Sequence, residues 1–217
     1  MSILEKWKTK MRPKDWCVNL VLYLIGVGLM PFGVVLTVNS HLGAGGYDAL
    51  NFALGEKLGI NTSLAIYMTA FLAVILAAVI RRKMLRITTF VSSFFLGIFT
   101  DLWKKILANV EGTNMVNSVA LLLIGVVIIA FAVAAYILCI FPSNPTDDLV
   151  AAMHEKGVRL GLAKIGLDVV CVVIAFILGG EIGLGTIVCT FGLGPVIDWF
   201  YGFLQKLVQQ YDIRVSV

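Results

Sequence analysis

Four carboxylates, Asp48, Asp147, Asp148 and Asp168, stand in or beside long apolar stretches of this chain. An acidic group carried to membrane depth is costly and is usually retained to hold a cation, a proton or an amine. Asp48 follows the glycine-rich turn HLGAGG, and Asp147 and Asp148 follow FPSNPT. Tyr47 and Asn51 flank the first acid and Asn144 precedes the second pair, adding neutral donors and acceptors beside the charge. Tyr47, Asp48, Asn51, Asn144, Asp147, Asp148 and Asp168 therefore form the candidate set for binding a small molecule or ion. A structural reading competes with this. Asp48, Asp147 and Asp148 can complement the positive ends of helices at the interface, and Asp168, four residues after Lys164, can form a self-neutralising helical pair.

Other polar residues carry weaker signals. Asp101 and Asp198 each follow a glycine by four residues near the end of an apolar run, where an acid can snorkel to the interface or serve a gate. His41 and His154 lack a third ligand at zinc spacing, so they read as solvated loop side chains. Glu181 sits in GGEIGLG, a turn without the strand, helix and lysine that phosphate binding requires; its glycines suit close backbone packing. Cys17, Cys139, Cys171 and Cys189 form no CxxC pair and read as small core residues. No nucleophile with its base, paired-carboxylate hydrolase site, Walker motif or dinucleotide fingerprint is present, so the expectation is a non-enzyme without cofactor.

The elements that position these acids follow from composition. Of 217 residues, 59% are hydrophobic and 14% charged, with a mean hydropathy of +0.96. So little polar surface points to the membrane class. Apolar runs cover about 17–38, 62–80, 87–103, 117–141, 162–179 and 185–205, each close to the length that a hydrocarbon core of about 30 Å demands of a helix. Trp16, Trp103 and Trp199 fall at run ends, where indoles sit at headgroup level. With the N-terminus inside, fourteen of the 17 Lys and Arg fall on the inner side and only Lys57, Lys104 and Lys105 on the outer. The net charge of +4 is thus a topology signal, and nucleic acid is not an expected partner. Both termini are expected in the cytoplasm: 1–16 as a retained basic segment without a cleavage site, and 206–217 as a tail.

The chain also repeats itself. At an offset of 99, LIGVGLMPFGV from Leu24 aligns with LIGVVIIAFAV from Leu123, and Asp48 with Asp147, Leu50 with Leu149, and Glu56–Lys57 with Glu155–Lys156. At an offset of 97, Thr89, Phe94, Gly97 and Asp101 align with Thr186, Phe191, Gly194 and Asp198. Two membrane units result, 17–107 and 117–205. Three spans in each force the second to enter from the opposite face, an inverted-topology repeat.

Between the first two spans of each unit lies a helical piece, about 46–57 or 145–156, only about 18 Å long at 1.5 Å per residue. That is too short to cross, so each is expected to be a half-helix or re-entrant segment. Ser143 or Asn144 can cap the second, and Pro145 suits its first turn. The expected fold is all-α: six transmembrane helices as a 3+3 inverted repeat with two short half-helices.

The segments LGAGGYDAL, SNPTDDLVAAMHEKGVRLGLA and above all ILGGEIGLGTIVCTFGLGPVIDWF resemble the bacterial YczE/YyaS/YitT family of multi-pass membrane proteins, closest to its YczE branch. Gly46–Asp48 departs from the Pro-Trp-Asp usual in that family. The resemblance runs from about 17 to 205 and implies an inner-membrane protein in which transport is suspected. The resulting expectation is a permease or channel whose partners are the bilayer and a small-molecule or ion substrate. A homo-oligomer is compatible with it, and a non-transporting scaffold or accessory subunit is the alternative.

Overall fold

Long apolar runs hold their backbone hydrogen bonds internally only as helices when no water is at hand, and every regular element of the described residues is helical. The computed structural model describes residues 12–82, 84, 85, 87–142, 144–158 and 160–215. The basic segment through Met11, the cations Lys83, Arg86 and Arg159 expected on the inner side, and the candidate cap Ser143 lie outside the described residues.

The helices are α1 (Pro13–Asn39), α2 (Gly46–Leu58), α3 (Thr62–Arg81), α4 (Phe90–Ile106, entered through a 3₁₀ turn at Ile87–Thr89), α5 (Met115–Ile137), α6 (Pro145–His154), α7 (Leu160–Leu178), α8 (Leu184–Ile187) and α9 (Leu193–Gln210), the last two joined by a π-helical turn, Val188–Gly192. Among the described residues, four stretches are long and apolar enough to cross a membrane: α1, α3, α5 and the continuous α8–α9. The remaining two long helices, α4 and α7, have 17 and 19 residues. The expected six runs thus coincide with six long helical stretches, and the two short pieces with α2 and α6. The last helix outruns its expected end at 205. The chain then turns back at Tyr211, and Val215 packs beside Ala134, Leu138 and Val208, so the expected tail is in large part helix and packed strap.

At the centre α1 and α5 cross antiparallel. Their spacing is set by small residues: a Cβ on Gly33 would stand 2.8 Å from the carbonyl oxygen of Gly125, and one on Gly26 would stand 2.7 Å from that of Ala132. Small residues let backbones approach without a clash, and close packing is what associates helices in lipid. Outside this pair the elements exchange partners: α2 packs on α7 and α6 on α3, α4 on α1 and α9 on α5, α2 on α3 and α6 on α7. Cys139, Cys171 and Cys189 are buried and Cys17 is exposed, all as free thiols.

The short helices run along the long ones. Gly46, first residue of α2, lies against the backbone of Asp168, halfway along α7, where a Cβ would meet the Asp168 oxygen at 2.6 Å. Ala49, Leu50 and Ala53 continue upward with Cys171 and Ala175. On the other side Ala73 and Ala77 of α3 pack with Leu149 and Ala152 of α6.

Candidate functional site

The α1–α2 connection is shaped to bring acid into the bundle. Gly43 adopts φ +100°, a conformation open to glycine, and its position beside Thr186 and the backbone of Gly183 leaves no room for a side chain. Three residues later α2 begins, with Gly45 at its N-cap. Tyr47 Oη meets Thr69 Oγ1 at 3.0 Å, Thr69 Oγ1 donates to Asn51 Oδ1 at 2.6 Å, and Asn51 Nδ2 donates to the Tyr47 carbonyl at 2.9 Å. A threonine hydroxyl carries one proton; with that proton on Asn51, Tyr47 is the donor to Thr69. The network ties the first turn of α2 to α3.

Asp48 points elsewhere. It makes no hydrogen bond or ion pair among the described residues, and Lys164 of α7 is the cation whose charge acts on it. Lys164 Nζ lies 3.5 Å from Asp168 Oδ1 and feels Asp48, Asp147 and Asp168 together. Asp147 in turn accepts a hydrogen bond from the Tyr136 hydroxyl of α5. Acids of α2, α6 and α7 thus all act on one ammonium.

Asp148, one residue away, is directed to another partner. Arg81 Nη1 lies 2.6 Å from Asp148 Oδ2 with both side chains buried, Arg81 Nη2 donates to the Asp148 carbonyl at 3.0 Å, and Arg81 Nε reaches Glu155 at 3.0 Å. The guanidinium fork pins both ends of α6 to the end of α3. Asn144 occupies the N-cap position of α6; its Oδ1 accepts from Ser93 Oγ of α4 at 3.2 Å instead of capping the helix.

Two cavities flank α2. The smaller, about 20 Å³, is lined by Tyr47, Asp48, Asn51 and Asn144 together with Pro31 and Thr100; it has room for about one water. The larger, about 180 Å³, is bounded by His41, Glu56, Lys104 and Glu181. Phe52 lines both, with Lys104 Nζ 4.9 Å from its ring centroid. His41 and Glu181 pair at 3.1 Å across the rim of the larger cavity.

Of the residues chosen from sequence, Tyr47, Asp48, Asn51 and Asn144 share the small cavity, Asp168 pairs with Lys164, Asp147 with Tyr136, and Asp148 with Arg81. Sequence reasoning missed Thr69, Tyr136 and Arg81 as members, and treated Lys164 only as a partner of Asp168. The repeat register held a signal for one of them, since Thr69 aligns with Asp168 at the offset of 99. Asp101 caps α3 by accepting the Ser63 N–H at 3.2 Å, whereas Asp198 is exposed. His154 Nδ1 lies 2.9 Å from the Val158 carbonyl oxygen.

Comparison with known proteins gives the same membrane class. The model of DUF6198, a family of unknown function, matches residues 17–202. The chain is 30% identical over 186 residues to the uncharacterized protein YyaS of Bacillus subtilis, covering 85% of this chain and 92% of the relative. It is 25% identical over 177 residues to the uncharacterized membrane protein YczE of the same organism, covering 81% of each. An uncharacterized protein of Haemophilus influenzae is 25% identical over 188 residues, covering 85% of this chain and 84% of the relative. No solved structure matches.

Proposed function

The chain belongs to the DUF6198 family, and from that premise we propose that it is a multi-pass permease or channel of the bacterial inner membrane, for a small molecule or ion. In this reading six spans form a 3+3 inverted repeat with both termini cytoplasmic, α2 and α6 re-enter from opposite faces, and the solute sits where their first turns meet. The reciprocal packing supports the inversion. Gly26 aligns with Gly125 and Gly33 with Ala132, so the contacts Gly33 on Gly125 and Gly26 on Ala132 exchange under a two-fold axis, as in an isologous interface.

The observation that carries the site is Asp48. It lines the small cavity without a hydrogen bond or ion pair among the described residues, within a cluster where Asp147, Asp148 and Asp168 each have a partner. A carboxylate left open there suits a cation, a proton or an amine. The larger cavity and Phe52 supply an outer approach to it. With no ATP-binding motif in the sequence, uphill movement draws on an ion gradient or a separate partner. No enzymatic chemistry is assigned.

The test is flux. Protein reconstituted in proteoliposomes and offered labelled cations, amines and amine-bearing zwitterions should move at least one of them above protein-free vesicles. No movement of any, with no thermal shift on addition, would sink the reading. One observation favours an accessory-subunit role instead: the inner cavity admits about one water. That role predicts that Asp48→Asn and Asp147→Asn leave cellular function intact.

A further inference from the structure

One matched set of positions is treated differently in the two halves. In the first, Gly97 of α4 lies against the ring of Tyr67 on α3, where a Cβ would come within 2.5 Å of the ring. One turn on, Asp101 Oδ1 accepts the Ser63 N–H at 3.2 Å. The repeat offsets carry Gly97 to Gly194, Asp101 to Asp198, Tyr67 to Gly166 and Ser63 to Leu162. In the second half nothing lies within 4 Å of where a Cβ would stand on Gly166 or Gly194, and Asp198 is exposed. Glycine facing glycine permits a closer helix approach than tyrosine facing glycine. Yet α3 and α4 pack together, while α7 meets the last helix mainly through the π-turn.

Three further features gather at that turn. A π-turn breaks the regular i to i−4 ladder, and Pro195, just beyond it, has no N–H to give; the backbone there is loosened. Thr190 Oγ1, within the turn, is the buried side-chain oxygen that lacks a hydrogen-bond partner among the described residues. Only 11% of the apolar window of α8–α9 is buried, against 33% to 56% in the other three spanning stretches.

We propose that α9 closes onto α7 about the π-turn, seating Gly194 on Gly166 and bringing Asp198 to the first turn of α7 near Leu162. The covering element is the chain's own helix because the matched contact in the first half is itself intramolecular. The inference rests on reading the halves as repeats, and does not depend on transport of any solute. The closed form repeats in the second half the α3–α4 arrangement of the first.

The test uses full-length protein in lipid nanodiscs, with Cys17, Cys139, Cys171 and Cys189 replaced by alanine and cysteines introduced by Gly166→Cys and Gly194→Cys. Both positions are open, so the side chains fit the present form. A disulfide needs Cα atoms within about 7 Å. Mild oxidation should yield an intramolecular crosslink in most chains, as it should for the control Tyr67→Cys with Gly97→Cys. Absence of a crosslink while the control forms one overturns the closure, and so do crosslinks found only between two chains. Either result leaves the repeat itself standing, because labelling of Lys57→Cys and Lys156→Cys from opposite faces tests that independently.

Discussion

Gly33 of α1 and Gly125 of α5 touch backbone to backbone at the centre of the bundle: a Cβ placed on either would stand 2.8 Å from the other's carbonyl oxygen. The sequence offset of 99 carries this contact onto a second one between the same two helices, Gly26 against Ala132. A leucine at Gly33 or at Gly125 meets the facing backbone as well as the side chain of Ile129 or Thr37, so the helices must separate. We expect Gly33→Leu and Gly125→Leu each to cost at least the 1–3 kcal/mol typical of overpacking and to lower yield and melting temperature in detergent. Gly28→Leu, with nothing within 4 Å of its Cβ position, should leave both near wild type.

Arg81 anchors α6 rather than a solute. With its side chain 3% exposed and that of Asp148 7% exposed, Arg81→Met takes the guanidinium away from a buried carboxylate, a loss of about 3–5 kcal/mol for a pair of this kind. The double variant Arg81→Met with Asp148→Leu removes both charges and should recover most of the loss. Thermal unfolding of the three proteins measures it, and a double variant no better than the single would show that the pair is not the cause.

Asp48 and Asp147 are equivalent by register but not by environment. Asp147 is held by Tyr136, whereas Asp48 has no such donor. Asp48→Asn should therefore abolish flux at unchanged melting temperature, while Asp147→Asn lowers flux and stability together. Proteoliposome uptake measured beside unfolding temperature separates the two.

The C-terminal strap gives a pH signature. Arg12 Nη1 lies 2.6 Å from Asp212 Oδ2, and that guanidinium hydrogen bond holds the Asp212 carboxyl below its ordinary range. A depressed carboxylate contributes stability that is present above its unfolded pKa and fades as pH falls through the folded value. Hydrogen exchange protection across residues 211–215 should drop on acidification below about pH 4, before global unfolding. In Asp212→Asn it should be low and flat with pH.

Much of this helical architecture is legible in the sequence, because long apolar helices announce themselves by length. The α2 and α6 boundaries follow from a glycine-rich turn and from Asn144–Pro145, both local signals. What the sequence hides is pairing at a distance. Arg81 looks like one more inner-face cation until its side chain reaches Asp148 of α6. Tyr136 looks like one aromatic in an apolar helix until its hydroxyl finds Asp147. The asymmetry between Gly97 and Gly194 is hidden too, since two positions aligned as repeats share a residue type and differ only in what stands opposite.

The account stands on two copies of one unit lying antiparallel in the membrane, and its most direct test is the sidedness of one repeated turn. Lys57 and Lys156 align at the offset of 99 and both are exposed. In a cysteine-free chain, Lys57→Cys should react with a membrane-impermeant maleimide added to intact bacteria, and Lys156→Cys should react only after the membrane is opened. Labelling of both from the same face would contradict the inverted repeat.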